Sequence, residues 1–471
     1  MTQDTALSMS KRDLLGLIGK TAGASAMYMA MSSFGQAQAS TFKGPIKLDG
    51  DPKGASVLIL GAGVAGMTAA LELSRAGYKV QVLEYNDRVG GRSWTLRGGD
   101  TFTELGGATQ QCQFAPGNYI NLGPWRIPWH HHGLIHYCHE FGVALEPFMQ
   151  VNYNAYIHDT AQFGGKPQRF RHIQADYYGH VSELLSKAVS KGALSDTVTK
   201  EDGEILLESL RSWGALDKNF RYVKGRESSN RRGWDKEPGG GLSAEPIPSD
   251  PMSAETVLRS GMWRTLGGNL TWDHEFTIFQ PVGGMEMVAK GFEKAVGHLV
   301  RLDSKVTAIQ QDEKGVTARF VDTKTGAQLA ASADYCICTI PLPILAQIEM
   351  NVGAELSAAI SAVPYSTSVK VGLEFKRRFW EQDDQIYGGI TYTDLPISQI
   401  SYPSSKYGDR GPGVLLGAST GGATGFELTA LPPAEHVARA LEWGSQIHPQ
   451  HKAEFMNGVA VGWHRVPWVL G

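Results

Sequence analysis

A chain of 471 residues is longer than one hydrophobic core normally serves, so two or three packed domains are expected. Its 42% apolar and 19% charged residues describe an ordinary globular enzyme, and a formal net charge of −3 gives no reason to expect nucleic-acid binding. Four cysteines in this length do not make a disulfide framework.

The N-terminus reads as a leader and not as fold. Lys11 and Arg12 precede Leu14, Leu15, Leu17 and Ile18, and a Gly/Ala/Met-rich stretch then reaches Ala37-Gln38-Ala39, an A-x-A cleavage pattern. SKRDLL resembles a twin-arginine export motif with lysine in place of the first arginine, so 1–39 is expected to be an export signal and the product periplasmic or secreted. The uncharged stretch is too diluted by Gly, Ser, Gln and Thr for a membrane span.

The first chemical motif follows at SVLILGAGVAGMTAALELSRAGYKVQVLE. An apolar run at 57–60 predicts a strand, Gly61, Gly63 and Gly66 make G-x-G-x-x-G, a helical pattern runs to Arg75, and a second strand at 78–83 ends on Glu84, 21 residues after Gly63. Gly61 permits the tight turn, Gly63 lets backbone approach a pyrophosphate, and Gly66 lets helix pack on strand. Val64 and Ala65 open the helix, where free N–H groups and the dipole favour phosphate, and Glu84 would accept from a ribose diol. This predicts dinucleotide binding.

Next comes NLGPWRIP (121–128), an arginine between a tryptophan, an isoleucine and two prolines. Arg126 is either an amphipathic arginine lying over apolar surface or a preset fork for an anion, since the prolines fix the backbone on both sides. His132, His136 and His139 share one helical face at zinc-compatible spacing, but Leu134, Ile135, Cys138 and Phe141 already give that segment a core face, so no metal is expected. GHVSELLSKAV (179–189) and TVTKEDGEILLESLRSWG (197–214) have helical period. The Pro/Gly-rich 237–251 reads as a surface loop or linker. Cys336 and Cys338 alternate along an apparent strand, DYCICTI, and should be core thiols on one face of it. In TSVKVGLEF, Val369, Val371, Leu373 and Phe375 alternate with Ser368, Lys370, Gly372 and Glu374, which predicts a half-buried strand with Lys370 on its polar face.

Arg88-Val89-Gly90-Gly91-Arg92, directly after Glu84, resembles the E-x-x-x-R-x-G-G-R signature of the flavin monoamine oxidase family. FTELGGA (102–108), QPVGGMEMVAKGF (280–292), KVTAI (305–309), DYCICTIPLPIL (334–345), SVKVGLEFKRRFWE (368–381) and GGITYTDLPI (388–397) resemble family landmarks in family order, so the likeness runs from about Lys53 to Gly471. Within the family, Gly123-Pro124-Trp125-Arg126-Ile127-Pro128 is most similar to the G-P-x-R-[IL]-P turn of L-amino-acid oxidases.

That resemblance implies an α/β protein of amine-oxidase architecture: a Rossmann-like FAD domain (54–107 and 273–363), a mixed-sheet substrate domain (108–175 and 364–471) and a helical insertion (176–272). FAD is the implied cofactor, held by Gly61, Gly63, Val64, Ala65, Gly66, Glu84, Arg92 and Val306, with Gly123, Pro124, Trp125 and Arg126 against its ring and Trp380 either beside the ring or in the core. Arg126 would bind a substrate α-carboxylate and Lys370 a water beneath the flavin, which makes Lys370 the implied catalytic residue. The implied reaction is oxidative deamination of L-α-amino acids by oxygen to 2-oxo acids, ammonia and hydrogen peroxide. An amine or polyamine oxidase without a carboxylate clamp is the alternative enzyme, and a flavin-poor binding protein the alternative of another class. The partners are a small amino acid and oxygen, and a homo-oligomer is compatible with the likeness.

Two departures stand out. L-amino-acid oxidases have a tyrosine in the segment matching GVLLGASTGG (413–422) as a second carboxylate contact, where this chain has Ala418 or Ser419. The family pattern also runs on past VGWHRVPWVLG to a segment that closes the flavin domain, so the chain is expected to be truncated.

Overall fold

The computed structural model describes residues 42–241, 245–268, 271 and 277–471; the expected export stretch 1–39 lies outside them. β1 (Ser56–Leu60), α1 (Val64–Arg75) and β2 (Lys79–Leu83) form a parallel strand–helix–strand unit. Strand Tyr335–Cys338 lies on the free side of β1 and Val300–Arg301 on that of β2, which completes a four-stranded parallel sheet. Val57, Ile59 and Val82 pack against Met67, Ala70 and Leu71 of α1 and against Val288, Ala289 and Phe292 of helix Glu286–Val296. Leu58, Leu60 and Leu83 pack on the other side against Val306, Phe320 and Ile344. Cover on both faces is why β1 reads as an unbroken apolar run. A second four-stranded sheet, built on Ser304–Asp312 and Gly315–Asp322, forms the lower of these layers.

The other large layer is a seven-stranded sheet in the order Gln168–Arg169, Tyr156–His158, Ile390–Thr393, Gln399–Ser401, Gly413–Gly421, Ser368–Phe375, Phe455–Gly462. It is mixed, because Tyr156–His158 and Ile390–Thr393 run parallel while the other pairs are antiparallel. Val369, Val371, Leu373 and Phe375 point to a core shared with Leu428 and Ala440, from helices Gly422–Thr429 and Pro433–Gly444. The opposite face carries Lys370, Gly372 and Glu374. It was expected to be polar and open, but Lys370 is 8% exposed and Glu374 0%. The strand is central, and the segment around 112–122 covers that face: an added Cβ on Gly372 would lie 3.1 Å from Ile120 Cγ1, and Glu374 accepts from Ala115 N and Asn118 Nδ2, each at 2.8 Å.

The stretches of helical period fall in helices Phe170–Ser190 and Lys200–Trp213, the second capped by Thr199 accepting from Asp202 N. The first begins before residue 176, where the helical segment was expected to open. The 237–251 stretch is not all loop, since Ile247–Pro248 pairs with Trp234–Lys236. Two cysteines differ from expectation. Cys338 is exposed and Cys336 half-buried, because Tyr335–Cys338 is the edge strand of its sheet. Trp380 is a core residue, 0% exposed, with its ring centroid 5.2 Å from that of Phe379 and 6.1 Å from that of Phe375, on the side of the sheet away from Lys370. Among the described residues no helix is long and apolar enough to cross a membrane.

Candidate active site

The glycine loop shows why each glycine is needed. Gly61 has φ +105°, open to glycine and strained for other residues, and a Cβ there would meet Thr339 Oγ1 at 2.5 Å. A Cβ on Gly66 would lie 1.9 Å from the carbonyl oxygen of Gly61, whereas one on Gly63 would meet nothing within 4 Å. The helix therefore packs tightly on the loop while the face at Gly63 stays open for a ligand. Gly63 is also the N-cap of α1 and brings no side chain to the first-turn N–H groups of Val64 and Ala65, which leaves them suited to an anion.

A cavity of about 240 Å³ opens at this point, lined by Gly61, Gly63, Val64, Ala65, Glu84, Arg92 and Val306 among others. Gly66 lies behind the loop and does not line it. Trp468, stacked on Tyr85 at 5.0 Å, and Val469 close its far side. Glu84 is 6% exposed and does more than wait for a ribose: its Oε2 accepts from Ala62 N at 2.6 Å, and Oε1 accepts from Asn86 N at 2.9 Å and Asn86 Nδ2 at 2.7 Å. The open space at Gly63, the uncapped helix N-terminus, the cation at Arg92 and the acid at Glu84 match the donor and acceptor pattern of a dinucleotide. FAD fits the residues present.

The arginine turn lies next to this cavity. Gly123 packs so closely on Arg92 that a Cβ would approach the Arg92 carbonyl oxygen to 1.8 Å, and Trp463 Nε1 donates to Leu122 O at 2.7 Å. Neither contact is visible in the motif, and Trp463 escaped the sequence reading because it is 341 residues from its partner. Ile127–Pro128 then pairs with strand Ile278–Pro281. Pro124 is exposed, Trp125 and Arg126 half-buried. The Arg126 guanidinium lies 5.4 Å from the Trp125 ring centroid, and burial lowers its pKa while Tyr392 acts to raise it.

Lys370 comes up beneath the turn from the seven-stranded sheet. Its Nζ donates to Gly123 O and sits 4.1 Å from the Trp125 ring centroid. Burial first, and the Arg126 charge second, bring its pKa down to about 7. A second cavity of about 90 Å³ lies between the sheet face, at Ser401, Val414 and Leu416, and the segment carrying Ile120, Asn121 and Trp125. Trp125 is thus common to the arginine turn and this cavity, although neither Arg126 nor Lys370 lines it.

The structure therefore brings Gly123, Pro124, Trp125, Arg126 and Lys370 into one site, joined through Arg92 to the cavity holding Gly61, Gly63, Val64, Ala65, Glu84 and Val306. Trp380 stays apart. His136 Nε2 faces Glu140 Oε2 at 3.3 Å, and among the described residues no three metal-ligating side chains converge.

The family described as flavin containing amine oxidoreductase matches residues 64–471. An L-amino-acid oxidase of Siganus canaliculatus is 26% identical over 421 residues, covering 88% of this chain and 75% of that protein. One from Bothrops pauloensis is 29% identical over 372 residues, covering 79% and 69%. Among solved structures, cyclohexylamine oxidase from Brevibacterium oxydans IH-35A superimposes with a TM-score of 0.53 at 18% identity, covering 88% of this chain and 86% of that one. Putrescine oxidase bound to putrescine gives 0.54 at 18% identity, with the same coverage. At such identities the superpositions speak for the fold alone, and that fold is the amine-oxidase architecture. Together with the glycine loop, the signature at 84–92 and the cavity they line, the family match makes this chain a member of the flavin-containing amine oxidoreductases, with FAD as its cofactor.

Proposed function

We propose that the protein oxidises L-α-amino acids to 2-oxo acids, with release of ammonia and hydrogen peroxide. The observation that carries this reading is the placement of Arg126: a half-buried guanidinium on a proline-bracketed turn, next to the cavity that fits FAD and above a buried lysine. A guanidinium in such a place forms a bidentate, charge-assisted pair with a carboxylate, which fixes the substrate Cα relative to everything else in the site. The L-amino-acid oxidases among its relatives support the same reading.

FAD, when bound, supplies the two-electron acceptor and passes the electrons on to oxygen. The chain's own residues supply position and protons. The Trp125 ring and the Gly123–Arg92 contact hold the arginine turn in place. Lys370 Nζ, with a pKa near 7, is the group able to hold the proton that the substrate ammonium must lose before its nitrogen lone pair can assist oxidation at Cα. No side-chain nucleophile is needed. We propose further that the enzyme is exported, a reading supported by the leader-like sequence of 1–39.

A hydrogen-peroxide assay of the FAD-loaded protein on L-leucine and on its decarboxylated amine, 3-methylbutan-1-amine, tests the reading. Turnover of the amino acid well above the amine is expected. Preference for the amine would make the protein an amine oxidase.

A further inference from the structure

Lys370 Nζ donates to the Gly123 carbonyl, so whatever holds that carbonyl also sets the surroundings of the charge. In the sheet the lysine's pair partners, Ser419 and Val461, bring no charge, and the charged group that acts on it is Arg126. The peptide that carries Gly123 O cannot anchor itself, because its nitrogen belongs to Pro124 and has no N–H. The anchoring falls to the residue before. Leu122 N donates to Trp94 O at 3.0 Å, and Leu122 O accepts from Trp463 Nε1 at 2.7 Å. The two tryptophan rings are buried and meet edge to face, with centroids 6.0 Å apart.

Strand register puts Trp463 at the other end of the same contact. Phe455–Gly462 pairs with Ser368–Phe375, with Val461 opposite Lys370 and Gly462 opposite Val369, and Trp463 is the next residue along. Its indole reaches from the lysine's own sheet to the arginine turn, where Cζ2 lies 3.6 Å from the place a Cβ on Gly123 would take. One side chain thus connects the strand beside the lysine to the turn that carries its acceptor.

We propose that Trp463 is a positioning residue for Lys370: its indole holds the backbone at 122–123 so that the Gly123 carbonyl stays on Nζ and water stays off it. This rests on Lys370 as the group that holds the substrate's proton. Without the indole N–H the buried Leu122 carbonyl needs another donor, and a smaller side chain leaves room for water beside two adjacent carbonyls. Water that reaches Nζ solvates the ammonium, so Lys370 then binds its proton more tightly.

The test is a double-mutant cycle in the FAD-loaded full chain: parent, Lys370→Met, Trp463→Phe and the double variant, each melted at about pH 6. In the parent background Lys370→Met is expected to raise the melting temperature, because it removes a buried charge. In the Trp463→Phe background that rise is expected to shrink, by roughly a third for a tenfold gain in proton affinity at Lys370. The acid limb of kcat/KM for L-leucine should move up by about one pH unit in Trp463→Phe. A residue that only fills the core lowers every melting temperature alike, so an equal rise in both backgrounds, or an acid limb that stays in place, would overturn the proposal. Trp463→Met, which fills apolar space and also lacks the N–H, carries the test if Trp463→Phe does not fold. A chain that folds with neither makes Trp463 a core residue alone and overturns the proposal as well. No rise in the parent background would overturn it together with the proton-holding role of Lys370. The melting cycle needs no turnover, so its failure is distinct from that of the amino-acid reading, which fails if the parent prefers the amine.

Discussion

Lys370 concentrates the chemistry of the site in one side chain. Its ordinary pKa of 10.5 falls to about 7 because the ammonium is buried and faces Arg126. Below about pH 7 both folded and unfolded chains hold that proton, and the fold bears the full cost of burying the charge. Between 7 and 10.5 the folded chain releases it while the unfolded chain keeps it, so stability rises with pH across that window. Lys370→Met removes this dependence. At about pH 6 the variant is expected to melt above the parent, with the gap narrowing by about pH 9. A gap constant over the range would mean that Lys370 keeps its ordinary pKa. The same variant should lose most of its turnover on amino acids, because Lys370 is the side chain beneath the turn with a pKa lowered to about 7, suited to hold the substrate's proton. Arg126 was legible in the sequence because the two prolines and the glycine that fix its turn are its neighbours. Trp380 was not, since an aromatic residue after a buried strand packs on whichever face its helix turns toward, and here Phe375 and Phe379 draw it into the core.

At the scale of elements, the glycine loop and the end of β2 act as one unit. Glu84 ties the loop through Ala62 N and fixes the next turn through Asn86, so its carboxylate shapes the phosphate cradle as well as facing the cavity. Removing a buried, charged acceptor leaves these donors unpaired, at a cost of about 1–3 kcal/mol. Glu84→Ala is therefore expected to leave purification with clearly less FAD than the parent, while turnover per bound flavin changes little, since Glu84 lines the glycine-loop cavity and not the Arg126–Lys370 site. Equal flavin content in the two proteins would contradict this. The strand–helix–strand unit was readable almost to the residue, because its signals (apolar run, glycine spacing, helical period, closing acid) all lie within 29 positions, 56–84. The edge position of Cys336 and Cys338 was not readable, because a strand's own sequence does not say how many neighbours it has.

At the scale of the whole molecule, two sheets built from interleaved stretches of chain meet where Lys370 reaches Gly123 and Gly123 packs on Arg92. The cavity that fits FAD borders that junction at Arg92, so FAD binding is expected to couple the layers, and a ligand that binds only the folded state stabilises it by RT ln(1 + [L]/Kd), about 2.7 kcal/mol at a hundredfold excess over Kd. The melting temperature of the apoprotein is expected to climb steadily with added FAD; one that ignores FAD would place the cofactor outside the folded core. The parallel sheet could be anticipated because its founding contacts are local, whereas the order of the seven-stranded sheet could not, since it joins strands drawn from 156 to 462. Whether Arg126 is the carboxylate fork is measured by one ratio: kcat/KM for L-leucine over kcat/KM for 3-methylbutan-1-amine, normalised to bound flavin, in the parent and in Arg126→Leu. Truncating one partner of a buried charged pair costs about 2–5 kcal/mol, so the ratio is predicted to fall roughly 30-fold to several thousand-fold, almost all of it on the amino acid. If both substrates lose activity by the same factor and the ratio stays unchanged, Arg126 only shapes the turn, and the carboxylate is held elsewhere.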